Sequence, residues 1–217
     1  MRVSGRLMLC LGVIVAAGAM AGTAIAGTVV NGGFETGTFF GWSTANQAFG
    51  SGAWFIQSGT TSPLNGFPVF PPPQGLFQAM TDQSGPGSHV LYQNIAVAPG
   101  DSLSFWVDYV NWAGYFCTPA TLDYTAGCNQ QFRVDIMTPS SDPFSVAPGD
   151  VLKNAFQTQV GDPTSLAPTK ITVIFWNCAI VRVRAAEVDN QFFFNAGVDG
   201  FVLTPPVHPS GIPCIHI

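Results

Sequence analysis

The sequence has 217 residues, of which only 9% are charged, and its formal net charge at pH 7 is −5. An acidic chain without a basic cluster excludes the electrostatic binding of phosphates on which nucleic-acid partners depend. The length fits one domain or two small ones. Because 24 glycines, 17 prolines and 18 phenylalanines predict many turns between apolar strands, we expect an all-β fold.

The first 26 residues have the pattern of a signal peptide. Arg2 and Arg6 form a positive region, residues 7–21 are apolar, and Ala24-Ile25-Ala26 is a cleavage site of the small-x-small type. We therefore predict cleavage after Ala26 and an exported bacterial protein, either secreted or held at the cell surface.

The predicted organisation of the chain follows from this cleavage. Residues 1–26 are the signal peptide, residues 27–204 are one β-sandwich domain, and residues 205–217 are a proline-rich tail. Cleavage removes two of the seven basic residues and none of the twelve acidic ones, which leaves a formal charge of −7. The apolar run is too short and too rich in alanine and glycine for a membrane anchor, so no membrane span is expected after cleavage.

Strand signals recur along the domain, separated by clusters of glycine and proline. In chain order, the predicted strands are 28–30, 53–57, 76–81, 89–97, 102–109, 131–138, 151–160, 170–177 and 197–203. Residues 36–51 are predicted to be turn-like, and residues 181–195 are apolar without a regular period. The long segment 58–75 is expected to be a rim loop or a cover over a sheet. This number and spacing of strands predicts a two-sheet sandwich.

The strand at 102–109 has a clear alternation of apolar and polar residues. The row that should face the core is Leu103, Phe105, Val107 and Tyr109. Trp106 and Asp108 belong to the opposite, more polar row. The strand at 131–138 alternates in the same way and puts Arg133 opposite its apolar row.

Four cysteines remain after the signal peptide: Cys117, Cys128, Cys178 and Cys214. An even number in an exported chain indicates disulfides, and three pairings are possible. Cys117 with Cys128 is favoured because it closes a short loop of turn composition, and Cys178 with Cys214 would then join the tail to a strand. Metal binding is a poorer alternative, since no Cys-x-x-Cys pair is present.

Carboxylates lie near both ends of the mature chain. Glu35 follows the glycine-containing stretch 31–34, and Asp199 lies in the last predicted strand. If the terminal strands lie side by side, these two carboxylates and nearby backbone carbonyls would share one hard cation. The alternative is that both acids cap solvated turns.

Several of these segments resemble the galactose-binding-like jelly-roll domains, a group that includes carbohydrate-binding modules. The opening Asn31-Gly32-Gly33-Phe34-Glu35 with Gly41-Trp42 is similar to theirs, as are Tyr92-Gln93-Asn94-Ile95 and residues 99–105. Residues 186–192 and 197–203 resemble exported bacterial proteins that usually end in a PEP-CTERM sorting tail. The resemblance implies a jelly-roll fold and is poorly specific for a ligand.

The resemblance also implies a structural calcium ion, Ca²⁺. In calcium-binding members, a glutamate after the first strand and an aspartate on the last strand help to hold the ion. Glu35 and Asp199 occupy the matching positions, and Asn31 is a third candidate ligand. The chain departs from the exported group after Leu203, because residues 205–217 contain neither an apolar membrane segment nor terminal basic residues. Two explanations stay open: the protein is freely secreted, or a sorting tail has been lost from this reading frame. Membrane-linked sorting is therefore not the favoured prediction.

Residues suited to catalysis are sparse. The only glutamates after the signal peptide are Glu35 and Glu187, and several aspartates lie beside proline or glycine in predicted turns, so a glycosidase pair is not indicated. No Gly-x-Ser-x-Gly elbow, phosphate loop or dinucleotide motif occurs. His89, His208 and His216 have no convincing partners in the sequence. We therefore predict that the protein is not an enzyme.

Sugar binding needs a flat exposed aromatic side chain and a few polar groups that orient the sugar. The candidates are Trp106, Trp176 and Trp112, with Asp108 and Arg133 as polar contacts. The alternative is that these aromatics are buried beneath loops or between the sheets. The leading prediction is a secreted, non-catalytic domain that binds extracellular polysaccharide. The other is a structural or adhesive protein of the cell surface or matrix, without a small-molecule ligand.

Overall fold

A computed structural model of the chain describes residues 27–207. The signal-peptide prediction and residues 208–217 lie outside this range. Every regular element within it is a β-strand. The ten strands are β1 (Ser43–Asn46), β2 (Ala53–Gln57), β3 (Gln78–Asp82), β4 (Gly87–Val97), β5 (Ser102–Asn111), β6 (Gln130–Met137), β7 (Val151–Gln157), β8 (Ser165–Ile174), β9 (Ala179–Asp189) and β10 (Phe194–Thr204).

The strands form two five-stranded sheets with antiparallel pairing throughout. Sheet A has the order β1-β4-β9-β6-β7, and sheet B has the order β2-β3-β10-β5-β8. Both sheets contribute inward-facing side chains to one apolar core, which is the arrangement of a β-sandwich. The predicted all-β jelly-roll sandwich is confirmed.

The alternation predicted for the central strands matches their burial. Leu103, Phe105, Val107 and Tyr109 of β5 all belong to the core. They pack beside the inward row of the neighbouring β10, which contains Phe194, Ala196 and Val198. Because successive side chains of a strand point to opposite faces, Trp106 and Asp108 lie on the outer face of sheet B.

Three of the segment predictions are wrong. Residues 28–30 form no strand and lead into a turn, in which Asn31 and Phe34 both have left-handed backbone conformations. Residues 43–46, predicted to be turn-like, form the edge strand β1. The apolar segment predicted to be irregular contains β9, an eleven-residue strand at the centre of sheet A.

The loop between β2 and β3 covers part of the outer face of sheet B. The buried Asp82 carboxylate on β3 accepts hydrogen bonds from the backbone N–H groups of Leu64 (2.6 Å) and Asn65 (2.9 Å). The Gln78 amide donates to the Phe70 carbonyl at 3.2 Å. The predicted cover over a sheet is therefore observed, and it is attached to β3 by polar side chains.

A second loop, residues 138–150, covers part of the outer face of sheet A. Arg182 on β9 donates hydrogen bonds to the carbonyls of Pro139 and Ser141. Arg184 donates to the carbonyls of Pro143 (2.7 Å) and Ser145 (2.6 Å). The two guanidinium groups thus attach this loop to the sheet and satisfy its carbonyl groups.

One of the two predicted disulfides is confirmed. Cys117 and Cys128 are bonded and close the loop that precedes β6. The predicted pairing of Cys178 with Cys214 stays a prediction, because Cys214 lies outside the described residues. In the part of the chain that the structure describes, no helix is long and apolar enough to cross a membrane.

Candidate functional site

The start of the domain packs against its last strand. The backbone N–H of Phe201 on β10 donates to the Gly32 carbonyl at 2.9 Å. The rings of Phe34 and Trp42 lie against Phe201, with centroid distances of 6.4 and 4.9 Å respectively. This packing carries Glu35, the residue after Phe34, to the outer face of sheet B beside Asp199. We call Glu35 and Asp199 the terminal acid pair.

Glu35 reaches the end of the loop that covers sheet B. Its carboxylate accepts hydrogen bonds from the backbone N–H groups of Leu76 (3.0 Å) and Phe77 (3.1 Å). The same carboxylate lies against Gly75, where a Cβ atom would come within 2.2 Å of Oε1. Gly75 also has a positive φ of 59°, so this position suits glycine in two ways.

Asp199 is fully buried on β10, next to a bulge in its pairing with β5. Its carboxylate accepts hydrogen bonds from the N–H groups of Gly200 (2.6 Å) and Gln74 (3.2 Å). Burial raises the pKa of Asp199 to about 7, and the negative charge of Glu35 adds to this rise against the lowering effect of the two hydrogen bonds.

The two acids of the terminal acid pair lie close together without a basic partner. Gly33 lies between the two side chains, since a Cβ on it would lie 3.7 Å from Glu35 Cγ and 3.8 Å from Asp199 Oδ1. The ion pairs of the described residues all involve Asp135, so no basic side chain neutralises these two acids. Carboxylate oxygens are the ligands that Ca²⁺ prefers, and the backbone groups that contact this pair are N–H donors.

Asn31, the third predicted metal ligand, is engaged within its own turn. Its side-chain N–H donates to the Thr38 carbonyl at 2.8 Å, and its Oδ1 accepts from the Thr36 N–H at 3.4 Å. Its backbone carbonyl accepts from the Trp42 indole at 3.2 Å. Asn31 therefore holds the loop that carries Glu35, and we leave it out of the proposed ligand set.

Two of the predicted polar sugar contacts are buried. Asp108 is 1% exposed, and both of its carboxylate oxygens are buried without a hydrogen-bond partner. Burial, reinforced by the charge of Asp199, raises the pKa of Asp108 to about 8. Arg133 forms a two-point ion pair with Asp135, at 2.7 and 2.8 Å. Because neither side chain is open to a ligand at the surface, we leave Asp108 and Arg133 out of the proposed sugar site.

The three predicted aromatic contacts lie in different places. Trp106 is half-buried on the outer face of sheet B, with the Lys170 ammonium 6.0 Å from its ring centroid. Trp112 follows the last residue of β5, whereas Trp176 follows β8 near Ile174, which pairs with the first residue of β5. A ten-residue strand is about 33 Å long, so Trp112 and Trp176 lie at opposite ends of the sandwich.

Trp176 is the more exposed of these two aromatics. It presents 76% of its surface and borders a shallow cleft of about 190 Å³, with Lys153 and Asn177 among the polar lining residues. The floor of the cleft is apolar and includes Ile136, Val173 and Val181. An exposed indole beside polar side chains has the chemistry that a sugar ring needs.

Trp112 is 38% exposed and belongs to an aromatic cluster. Its ring packs against Phe67 at 5.2 Å, and its indole N–H donates to Asn195 Oδ1 at 3.3 Å. It lines a second groove of about 320 Å³ with Val69 and Phe70 of the covering loop. The interactions of its N–H and of one ring face leave less of this indole for a ligand.

Three further residues were missed by the sequence reasoning and lie together in the interior. They are His89, Glu187 and Asp189, which we call the interior cluster, and their potential ligand atoms lie within 4.8 Å of one another. Burial lowers the pKa of His89 to about 4. Burial also raises the pKa of Asp189 to about 8, and it raises the pKa of Glu187 well above its usual range with help from the charges of Asp189 and Asp82.

Comparison with known proteins shows a shared fold. No family model matches this chain, and no curated protein matches it. TmCBM61, a carbohydrate-binding module solved in complex with β-1,4-galactotriose, has a TM-score of 0.51 and 12% identity, over 82% of this chain and 98% of that one.

Two adhesin domains of Lys-gingipain are similar to a comparable degree. The K3 domain, from Porphyromonas gingivalis W83, has a TM-score of 0.52 and 16% identity, over 81% of this chain and 96% of that one. The K2 domain has a TM-score of 0.50 and 14% identity, over 82% of this chain and 98% of that one. The chain therefore has a β-sandwich fold that is also found in carbohydrate-binding modules and adhesin domains.

Proposed function

We propose that this chain is an exported, non-catalytic domain that binds extracellular polysaccharide through Trp176, and that a Ca²⁺ ion held by Glu35 and Asp199 stabilises it. The observation that carries the proposal is the exposure of Trp176 beside a cleft with polar lining residues. A free indole face offers a flat apolar surface to a sugar ring, and Lys153 and Asn177 would bind its hydroxyl groups.

The likeness to TmCBM61 supports a sugar ligand, because that module was solved in complex with β-1,4-galactotriose. The burial of Glu187 and the hydrogen bonds of Glu35 support a non-catalytic role. Glu187 is fully buried, and Glu35 is bound by backbone N–H groups of the covering loop. Glu187 therefore cannot reach a bound sugar, as the acid or nucleophile of a glycosidase must, and the Glu35 carboxylate already has backbone partners.

The test of sugar binding compares two tryptophans. The protein is run in affinity gels containing soluble β-galactan, xylan, β-glucan or mannan, and any ligand found is titrated calorimetrically. Trp176→Ala should weaken binding by at least about tenfold, which corresponds to about 1.4 kcal/mol for one aromatic contact. Trp112→Ala is the matched control and should bind as the wild type does. Equal retention of all three proteins, or none by the wild type, would contradict the proposal.

The test of calcium binding compares melting temperatures with added Ca²⁺ and with chelator. The wild type should gain stability with Ca²⁺, by about 2.7 kcal/mol when the free ion is at 100 times its dissociation constant. Glu35→Gln and Asp199→Asn should both lose this gain, because each removes one charged ligand. Asn31→Ala is the matched control: it should be less stable but keep the response. A calcium response that survives both carboxylate changes would refute the proposed site.

An adhesive role is the second candidate, and the surroundings of Trp176 favour it. Leu152, Ile174 and Ile180 are each about half exposed and lie in or near the same rim, so the indole is part of a wider apolar patch. Such patches mark surfaces that bind protein or a cell surface. Failure of every glycan to bind, together with loss of cell-surface retention in Trp176→Ala and Ile180→Ser, would support adhesion over sugar binding.

A further inference from the structure

We propose that the interior cluster of His89, Glu187 and Asp189 is a binding site for one divalent transition-metal ion, of which Zn²⁺ is the representative. This site is separate from the terminal acid pair and does not depend on the sugar-binding proposal. It lies between the two sheets, near the end of the sandwich where β9 ends.

The strand register brings the three side chains to one face. His89 on β4 pairs with Glu187 on β9, and Gly87 on β4 pairs with Asp189. Side chains two residues apart on a strand share a face, so Glu187 and Asp189 point inward with the core residues Val183 and Ala185. Ligands of one Zn²⁺ lie about 3.4 Å apart at bond lengths near 2.1 Å, so atoms within 4.8 Å need only a small inward movement.

Glu187 supplies an independent reason to expect a ligand. It is 0% exposed, and neither of its carboxylate oxygens has a hydrogen-bond partner. A buried carboxylate without a partner is strongly unfavourable, and it is relieved by taking up a proton, by a paired cation or by a metal ion. Arg182 and Arg184 lie on the opposite face of β9, where they bind the loop at 138–150, so they do not reach Glu187.

His89 has its two ring nitrogens between two oxygens. Nδ1 is 2.9 Å from Asn46 Oδ1, and Nε2 is 3.0 Å from the Ser51 carbonyl oxygen. A neutral imidazole has one N–H, so it can donate to only one of them. If Nδ1 carries the proton and donates it to Asn46 Oδ1, the Nε2 lone pair and the Ser51 oxygen both become available to a metal.

His89 Nε2 and the Asp189 carboxylate both lie next to Gly87. A Cβ on Gly87 would lie 2.5 Å from His89 Nε2, which shows that this nitrogen lies directly over the Gly87 backbone. The N–H of the same Gly87 donates to Asp189 Oδ1 at 3.0 Å. His89 Nε2 and the Asp189 carboxylate are thus both positioned by one residue of β4.

The donor set selects the class of metal. One imidazole nitrogen with two carboxylates suits Zn²⁺ or Mn²⁺, whereas Ca²⁺ binds through oxygen atoms. A route from the surface is present, since a pocket of about 230 Å³ lined by residues 84–86 and 189–193 reaches Asp189. The two acid sites of this domain therefore differ in the ion that they would take.

The experiment measures metal content of the whole protein. The purified chain is stripped with chelator, refolded or dialysed with Zn²⁺ or Mn²⁺ in excess Ca²⁺, dialysed again, and analysed by elemental mass spectrometry. We expect one tightly held transition-metal ion per wild-type chain. Glu187→Gln should weaken its binding by more than about 100-fold, because loss of an outer-shell partner alone costs 10–100-fold. Glu35→Gln is the matched control and should keep the ion while it loses the calcium response.

Two outcomes would overturn the proposal. One is a wild-type chain that retains neither Zn²⁺ nor Mn²⁺ under these conditions. The other is a folded Glu187→Gln protein that retains the ion as the wild type does, which would assign binding to other residues. If Glu187→Gln does not fold, His89→Gln removes the nitrogen donor from the other strand, and the absorption spectrum of Co²⁺-loaded wild type reports directly whether an imidazole is bound.

Discussion

The two faces of β9 differ in whether a buried acid has partners within the chain. On the outer face, Arg184 and Arg133 share the buried carboxylate of Asp135, and the Asn154 amide donates to it at 2.8 Å. On the inner face, Glu187 has no donor at all. The Asp135 carboxylate has all its partners supplied by the chain, whereas Glu187 has none and, unlike the equally partnerless Asp108, lies beside two other potential metal ligands.

The largest expected effect on stability comes from removing Asp135, the carboxylate that pairs with Arg133 and Arg184 on the outer face. Asp135→Ala would leave the guanidinium groups of Arg133 and Arg184 buried without their carboxylate. We expect the free energy of unfolding to fall by about 3–5 kcal/mol, as for other buried ion pairs that lose one member. Urea unfolding followed by tryptophan fluorescence measures it. A loss below about 1 kcal/mol would mean that the pair is solvated and that the contrast between the faces is overstated.

On the inner face of β9, replacing the buried acid should stabilise the protein rather than destabilise it when no metal is bound. Glu187→Met removes both partnerless oxygens and keeps a side chain of similar length, so in chelator the free energy of unfolding should rise by about 1–3 kcal/mol, the usual cost of an unsatisfied buried polar group. The same urea titration gives the value, and Asp135→Ala serves as the comparison. A destabilisation as large as that of Asp135→Ala would show that Glu187 has partners in the chain.

Asp108 is also a buried acid without a hydrogen-bond partner, and it should make the stability of the protein depend on pH. Its pKa is raised to about 8, so between about pH 4 and pH 8 the folded chain keeps a proton that the unfolded chain has lost. Stability should therefore fall as pH rises through this window, by up to about 1.4 kcal/mol per pH unit from this group. The free energy of unfolding is measured against pH for the wild type and for Asp108→Asn. Subtracting the two curves gives the contribution of Asp108 alone, because Asp189 and Asp199 are present in both proteins. Parallel curves for the two proteins would contradict it.

The smallest effect on stability is expected at Trp176, which has few neighbours to lose. Trp176→Ala should change the free energy of unfolding by about 0.5 kcal/mol or less, as other surface substitutions do. Trp54→Ala, a 4% exposed core tryptophan, should cost about 3–5 kcal/mol and is the matched control. A large loss in Trp176→Ala would make weakened sugar retention uninterpretable and would move this side chain to the core.

The strands that were predictable from the sequence have one buried and one partly solvated face. β5 alternates clearly, and its inward row was predicted correctly. β9 was missed because it lies in the middle of sheet A with both faces covered, so apolar residues occur on both sides and the period of two is lost. The segment 28–30 was predicted as a strand from β-forming residues, but left-handed backbone at Asn31 turns the chain instead.

The terminal acid pair and the interior cluster also differ in how far local sequence predicts them. The terminal acid pair was predictable because Glu35 and Asp199 lie in short motifs that resemble those of known domains. The interior cluster depends on the register between β4 and β9, which brings His89 opposite Glu187. Register is set by the whole sheet, so local sequence does not reveal it. An alternation count over 181–189 would have put Glu187 and Asp189 in the row of Val181 and Val183, and that is the signal that was overlooked.

The hydrogen bond between Gly32 and Phe201 makes the order of synthesis matter for folding. A ribosome delivers the Gly32 end first and the Phe201 end after nearly all other strands have emerged. Phe34 and Trp42 therefore lack the Phe201 ring, against which they pack in the folded domain, until β10 has been synthesised. The domain closes at the place where its chain begins, and a chain cut short before residue 201 would leave these aromatic side chains exposed to other proteins.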